Sequence, residues 1–162
     1  MYDPRSGSTV WGKLLLPEWF HGLLSRDKKT LIAQAEGIVG TAVYRSLEQW
    51  HPGVLRDRVA FHWIDNTTAL SALVNGSASQ PDMAFIVSAH HIFVHGLACH
   101  VQYEWIPSAA NISDWPTRED KWHLIPADAV WIEVVLPVES SFPAEWRLWA
   151  ATVYNGASAP PS

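Results

Sequence analysis

The chain has 162 residues, 48% of them hydrophobic, with ten tryptophans and a formal charge of −5, enough for one domain that buries roughly two thirds of its extended-chain surface. The negative balance excludes a grip on nucleic acid through a general excess of Lys and Arg, so a polyanionic substrate would need metal ions or a local basic patch. Candidates for such a patch are Arg26, Lys28 and Lys29, then Arg56 and Arg58, then Arg118 and Lys121. The most apolar run, 86–98, is broken by His90, His91 and His95 and is too short for a membrane span, so no membrane partner is expected. The first residues, MYDPR, lack the apolar stretch of a signal peptide. The single cysteine, Cys99, excludes an internal disulfide and fits a reducing, intracellular setting.

Residues 1–10 are turn-forming, with Ser6, Gly7 and Ser8 reading as a loop. The run 9–16 (TVWGKLLL) predicts a strand stopped by Pro17, and 19–24 (WFHGLL) predicts its hairpin partner. Over 30–50, Leu31, Ala35, Ile38, Val39, Ala42, Val43 and Leu47 form one apolar stripe at helical spacing, ended by Pro52 and Gly53. Glu36 stands beside that stripe, where a carboxylate is costly without a partner or a metal ion. A glutamate at the stripe's edge with its head in water is the equally open alternative.

Over 59–64, Val59, Phe61 and Trp63 alternate with Ala60, His62 and Ile64 in a run of β-formers, which predicts an interior strand covered on both faces. Asp65, Asn66, Thr67 and Thr68 follow at once, a cluster suited to accepting the free amide hydrogens of a helix that continues through Ala69, Leu70, Ala72 and Leu73. Asp65 therefore either caps that helix or serves chemistry at the carboxyl end of a strand. After a loop at 75–81, residues 82–95 predict a helix closed by Gly96, and 100–106 a strand stopped by Pro107. A capped turn at 111–118 carries Asp114 just beyond that strand's end. From 119 onward Pro126, Pro137 and Pro143 punctuate short segments: 129–138 is strand-like, 144–154 helix-like, and 155–162 is expected to be a disordered tail.

His91, His95 and Cys99 fall four residues apart, as zinc ligands on one helix face would. Gly96 interrupts the helix and spacing supplies no fourth ligand, which favours packed or surface histidines. The tryptophans could stack on bases, but Trp63 and Trp105, on predicted strands, are expected in the core. Arg118 is suited equally to a phosphate and to pairing with Asp114.

Two stretches, IDNTTA at 64–69 and IPSAANISDWPTR at 106–118, taken with the element order, resemble the ribonuclease H domain of retroelement reverse transcriptases over about residues 6–118. The resemblance implies an α/β fold, a ribonuclease H-like mixed sheet flanked by helices, in a domain at 1–118 with an extension of unassigned role at 119–154. It implies that Glu36, Asp65 and Asp114 are three of the four acids that hold two Mg²⁺ ions, Mn²⁺ substituting, to hydrolyse the RNA strand of an RNA/DNA hybrid. It implies Asp65 as a ligand shared by both ions, Glu36 as a ligand that also lies near the substrate's sugar edge, and Asp114 as a ligand of one. By the same resemblance His123 becomes a candidate for assisting proton transfer, and the polymerase portion of a larger polyprotein becomes an expected partner. The family's first carboxylate lies on the central strand, followed by two small residues, whereas Asp3 is followed by Pro4 and Arg5. The central strand is therefore expected to be missing or very short, leaving unpaired edges on 9–16 and 59–64. Two other readings stand beside this one: a non-catalytic remnant of the same fold that binds nucleic acid or serves as a structural module, and an unrelated α/β binding domain in which Asp65 and Asp114 only cap helices.

Overall fold

The computed structural model describes residues 1–4, 6–16, 31–134 and 136. The expected hairpin partner at 19–24, the basic residues Arg26, Lys28 and Lys29, the helix-like run 144–154 and the tail at 155–162 lie outside the described residues. What is described is mixed α/β. Strands β1 (Tyr2–Asp3) and β2 (Ser8–Trp11) precede helix α1 (Ile32–Trp50). Strand β3 (Val59–Ile64), helices α2 (Thr67–Asn75) and α3 (Pro81–Gly96) and strand β4 (His100–Trp105) follow, then three 3-10 turns and β5 (Val130–Trp131).

The strands form two sheets. β1 and β2 are antiparallel and β2 runs parallel to β5, while β3 and β4 pair in parallel over six residues, from Val59 opposite His100 to Ile64 opposite Trp105. Among the described residues no strand lies between β2 and β3. A parallel pair needs a crossover, and α2 and α3 supply it. Asn66 starts α2 with its Oδ1 accepting the amide hydrogens of Thr68 and Ala69 at 3.0 and 3.1 Å, and Gly76 ends it at φ 66, a left-handed conformation that favours glycine. α3 starts with Pro81, whose missing N–H costs nothing there.

Three groups of buried side chains hold the layers together. Ile38 and Ala42 of α1 meet Ile86, Val134 and Leu136; Tyr44 and Leu47 meet Val10, Leu55, Val94 and Cys99; Ile64 meets Ala69, Ala72, Leu73, Met83 and Val87. Two glycines let α1 approach its neighbours. A Cβ at Gly37 would lie 2.9 Å from Ile86 Cγ2, and one at Gly40 would lie 2.5 Å from the His62 ring.

Three expectations need correction. β3 is not covered on both faces: Ile64 is 4% exposed, but Val59, Phe61 and Trp63 are 63%, 62% and 52% exposed. The helices cover one side of the β3–β4 pair, and among the described residues nothing covers the other. For the same reason Trp63 is not a core residue, and Trp105, also 52% exposed, is not one either. The expected strand at 9–16 is cut to Ser8–Trp11, because its partner β5 offers only Val130 and Trp131 for pairing. Only those two residues of the strand-like run 129–138 lie in a strand among the residues described there.

Candidate functional site

Asp65 stands one residue past the end of β3, and the cap of α2 is its neighbour Asn66. The bland role for Asp65 is thus taken by the next residue. No hydrogen bond or ion pair ties up the Asp65 carboxylate among the described interactions. Across from it, the second turn of α1 carries Glu36. Its side chain is half-buried, and Oε2 is shielded from water without a hydrogen-bond partner.

Burial pushes the Glu36 carboxyl up to about 7 from its ordinary 4.5, and the Asp65 charge adds to the effect; the Asn66 backbone amide opposes it, and the Asp114 charge raises it again. Two carboxylates far from Glu36 in sequence, Asp65 and Asp114, therefore both act on it by charge. Burial and like charge both disfavour the ionised form.

Asp114 reaches this neighbourhood from the 3-10 turn Ile112–Thr117. Asn111 starts that turn, its Oδ1 accepting from the Ser113 amide at 3.2 Å and from the Ser113 hydroxyl at 2.6 Å. The turn is pinned to the body of the protein by aromatic contacts. Trp115 stacks on Trp11 of β2 with ring centres 6.0 Å apart and planes 13° off parallel, and Trp122 Nε1 donates to the Pro116 carbonyl at 3.2 Å. Arg118 Nη2 donates to Asp114 Oδ2 at 3.1 Å, while Asn111 Nδ2 donates to Asp114 Oδ1 at 3.4 Å. Of the two roles open to Arg118, the structure displays the ion pair.

Asp3 is engaged elsewhere, its Oδ2 accepting from Ser6 Oγ at 3.1 Å and pairing with Arg58 Nη1 at 3.3 Å. His123 is exposed on the 3-10 turn Glu119–Leu124. In the histidine and cysteine run, α3 ends at Gly96 and Ala98 takes φ 52, so Cys99 leaves the helix face that His91 and His95 share.

The donor chemistry of Glu36, Asp65 and Asp114 suits a hard divalent cation, which takes oxygen ligands and retains much of its own water. The orphaned Glu36 oxygen and the like-charge repulsion are what such a cation would relieve. The spacing does not amount to a finished cage: among the described residues no three His, Cys, Asp or Glu groups converge closely enough to hold a metal ion. No described helix is long and apolar enough to cross a membrane.

Sequence reasoning placed Asn66 in a capping cluster and Asn111 in a capped turn without singling either out as the cap, and missed Trp11 and Trp115 as the pair that anchors Asp114. The cap preference of Asn was visible in both motifs; the tryptophan pair joins residues about 100 apart and left no local signal. Comparison with protein-family models, curated proteins and solved structures finds no match.

Proposed function

We propose that this chain is a ribonuclease H-like nuclease domain of a retroelement polymerase, which hydrolyses the RNA strand of an RNA/DNA hybrid with two Mg²⁺ ions. The observation that carries the proposal is that Asp65, at a strand end, and Asp114, in a turn, both act by charge on the half-buried Glu36 carboxyl of a helix. The order of elements across 31–118 and the two motifs at 64–69 and 106–118 support it further. Bound there, Mg²⁺ would supply a polarised attacking water and a charge sink for the departing oxygen. The residues divide the remaining work. Asp65, just past a strand end, would be the ligand shared by both ions. Glu36, on a helix fixed by its apolar stripe, would be a second ligand and lie near the substrate's sugar edge. Asp114, oriented by Asn111 and Arg118, would be a ligand of one ion.

A second reading is favoured by a specific observation: Asp114 is paired with Arg118 and Asp3 with Arg58, so two of the four acids considered are already neutralised by arginines. Under it the chain is a non-catalytic ribonuclease H-like module that binds nucleic acid or serves a structural role. One assay separates the readings. A labelled RNA/DNA hybrid is incubated with the chain in Mg²⁺, in Mn²⁺ and in chelator. Metal-dependent cutting of the RNA strand that Asp65→Asn abolishes supports the nuclease. Binding without cutting supports the nucleic-acid-binding module, and neither binding nor cutting removes the nuclease and leaves the structural role alone.

A further inference from the structure

Register and burial give the uncovered side of the β3–β4 pair a fixed pattern. Val59, Phe61 and Trp63 of β3 stand opposite His100, Gln102 and Glu104 of β4, and cross-strand partners in register share one side of a sheet. The alternate residues turn inward: Ala60 and Val101 pack on the group around Tyr44 and Leu47, and Ile64 and Tyr103 on the group around Leu73 and Val87. The outer side is left with an apolar row beside a polar row. Val59, Phe61 and Trp63 are each more than half exposed, His100 and Gln102 are exposed, and Glu104 is partly so. Two aromatic side chains of about 150–250 Å² each, both more than half bare, with Val59 beside them, put the apolar row at roughly 300 Å². An exposed patch of that size on a single chain is often functional.

The order of residues along each row says which partner fits. Turning a second copy over about a two-fold axis that runs across the strands, above Phe61 and Gln102, lays β3 on β3 and β4 on β4 with the strands reversed. Val59 of one copy then faces Trp63 of the other, a small side chain beneath a large one, and Phe61 faces Phe61 across the axis. On the polar row His100 faces Glu104 of the other copy, and an imidazole has a ring N–H to give while a carboxylate only accepts. Gln102 meets its own counterpart across the axis, and a side-chain amide both donates and accepts. Within one chain Gln102 Nε2 already donates to Glu104 Oε1 at 3.1 Å, which holds the carboxylate on this face with lone pairs to spare. A two-fold axis along the strands would instead lay the apolar row on the polar row and bury Glu104 against Trp63, where it finds no donor.

We propose that this chain pairs with a second copy of itself, face to face across the outer side of β3 and β4, with Phe61 and Gln102 on the two-fold axis. Every contact off the axis is made twice, as a self-complementary interface requires. Aligned sheets pack about 10 Å apart, close enough for the two apolar rows to interdigitate. The six residues of each copy present roughly 500–600 Å², so the pair buries about 1,000–1,200 Å² in all, the low end for a specific interface. It is therefore a weak dimer, with a dissociation constant on the order of 10 µM. None of the six residues belongs to the acidic set, so the pairing stands or falls apart from the nuclease reading.

Sedimentation equilibrium of the full chain over roughly 1–200 µM brackets that constant. The mass is expected to climb from that of one chain toward that of two and to go no further. Phe61→Asp brings two like charges together on the axis and should weaken pairing about tenfold or more. Charge exchange tests the register without touching the apolar row. His100→Glu sets two acids at each polar contact and Glu104→Lys removes both acceptors, so each variant alone should pair about three- to tenfold more weakly. Their equimolar mixture should recover the parent's association, because the new acid of one then meets the new base of the other while the unchanged His100 and Glu104 still meet. A single-chain mass over the whole range overturns the proposal, whether the face is then covered by residues of its own chain outside those described or by an added RNA/DNA hybrid. Pairing that a folded Phe61→Asp leaves intact overturns the face. Assemblies larger than two, or a mixture that associates no better than either variant alone, overturn the two-fold arrangement. The mixing experiment decides the matter if Phe61→Asp does not fold.

Discussion

Glu36→Gln tests whether the three carboxylates share one field. Raising the Glu36 carboxyl from 4.5 to about 7 corresponds to about 3.4 kcal/mol in favour of the protonated form. The side chain is half in water, so screening reduces the cost of ionising it in the folded state to roughly 1–2 kcal/mol. The sign follows from linkage. The folded chain holds this proton more tightly than the unfolded chain, so below 4.5 both states are protonated and no cost is felt. Stability then falls as pH rises from 4.5 to about 7 and stays lowered above it. Gln keeps the shape and carries no charge. Thermal unfolding of parent and variant across pH 4.5–8 is expected to converge at the acid end, with the variant melting roughly 2–8 °C higher at pH 8. Asp65→Asn should reproduce part of that gain, and Mg²⁺ at pH 8 should raise the melting temperature of the parent more than that of either variant. Parallel pH profiles for the parent and Glu36→Gln would refute the reasoning, because Glu36 would then ionise as freely in the folded chain as in the unfolded one.

Other outcomes are expected on the same construction. His62 and His90 tilt the profile the opposite way: their folded values near 4 and 3 lie below the ordinary 6.5, so the stability they contribute is complete above 6.5 and is lost as pH falls toward 4 and 3. His62→Phe should flatten that acid limb in a urea titration at pH 4–7, and a limb of unchanged slope counts against burial of the neutral ring. Asn66→Ala removes the acceptor for two amide hydrogens and should cost about 1 kcal/mol in chemical denaturation, whereas Asp65→Ala, which removes no cap, should not destabilise. Gly40→Ala places a Cβ 2.5 Å from the His62 ring and should cost roughly 1–3 kcal/mol by overpacking; a neutral result would mean that β3 is free to move away from α1.

The segment from β3 to β4 was the most legible part of the chain because its signals are local. Alternation marked β3, the capping cluster at 65–68 and the loop at 75–81 bracketed α2, and that loop with Gly96 bracketed α3. The burial of β3 was misread because alternation of β-formers says which residues share a face, and says nothing of whether a layer covers it. Phe61 and Trp63 are apolar and exposed, which composition alone does not reveal. At the site, the residue types in both motifs were readable, yet the division of labour between Asp65 and Asn66 depends on one residue of register at the helix start. The influence of Asp65 on Glu36 depends on tertiary placement of α1 near the start of α2, which leaves no trace in local spacing. The contacts among the rings of His62, His90 and Tyr103 were hidden for the same reason, each ring coming from a different element.

The pairing of β2 with β5 joins Val10 to Val130 and Trp11 to Trp131 through two ladder positions only. Closing a loop of about 120 residues costs on the order of 4 kcal/mol in chain entropy, far more than so short a ladder returns unless the body between is already in place. This seam is therefore expected to form late in folding and to open early under stress. Because Trp11 also stacks against Trp115, fraying there loosens the turn that presents Asp114 while α1 to β4 stays intact. The acidic cluster would thus lose its third member through a local opening, well before the chain as a whole comes apart.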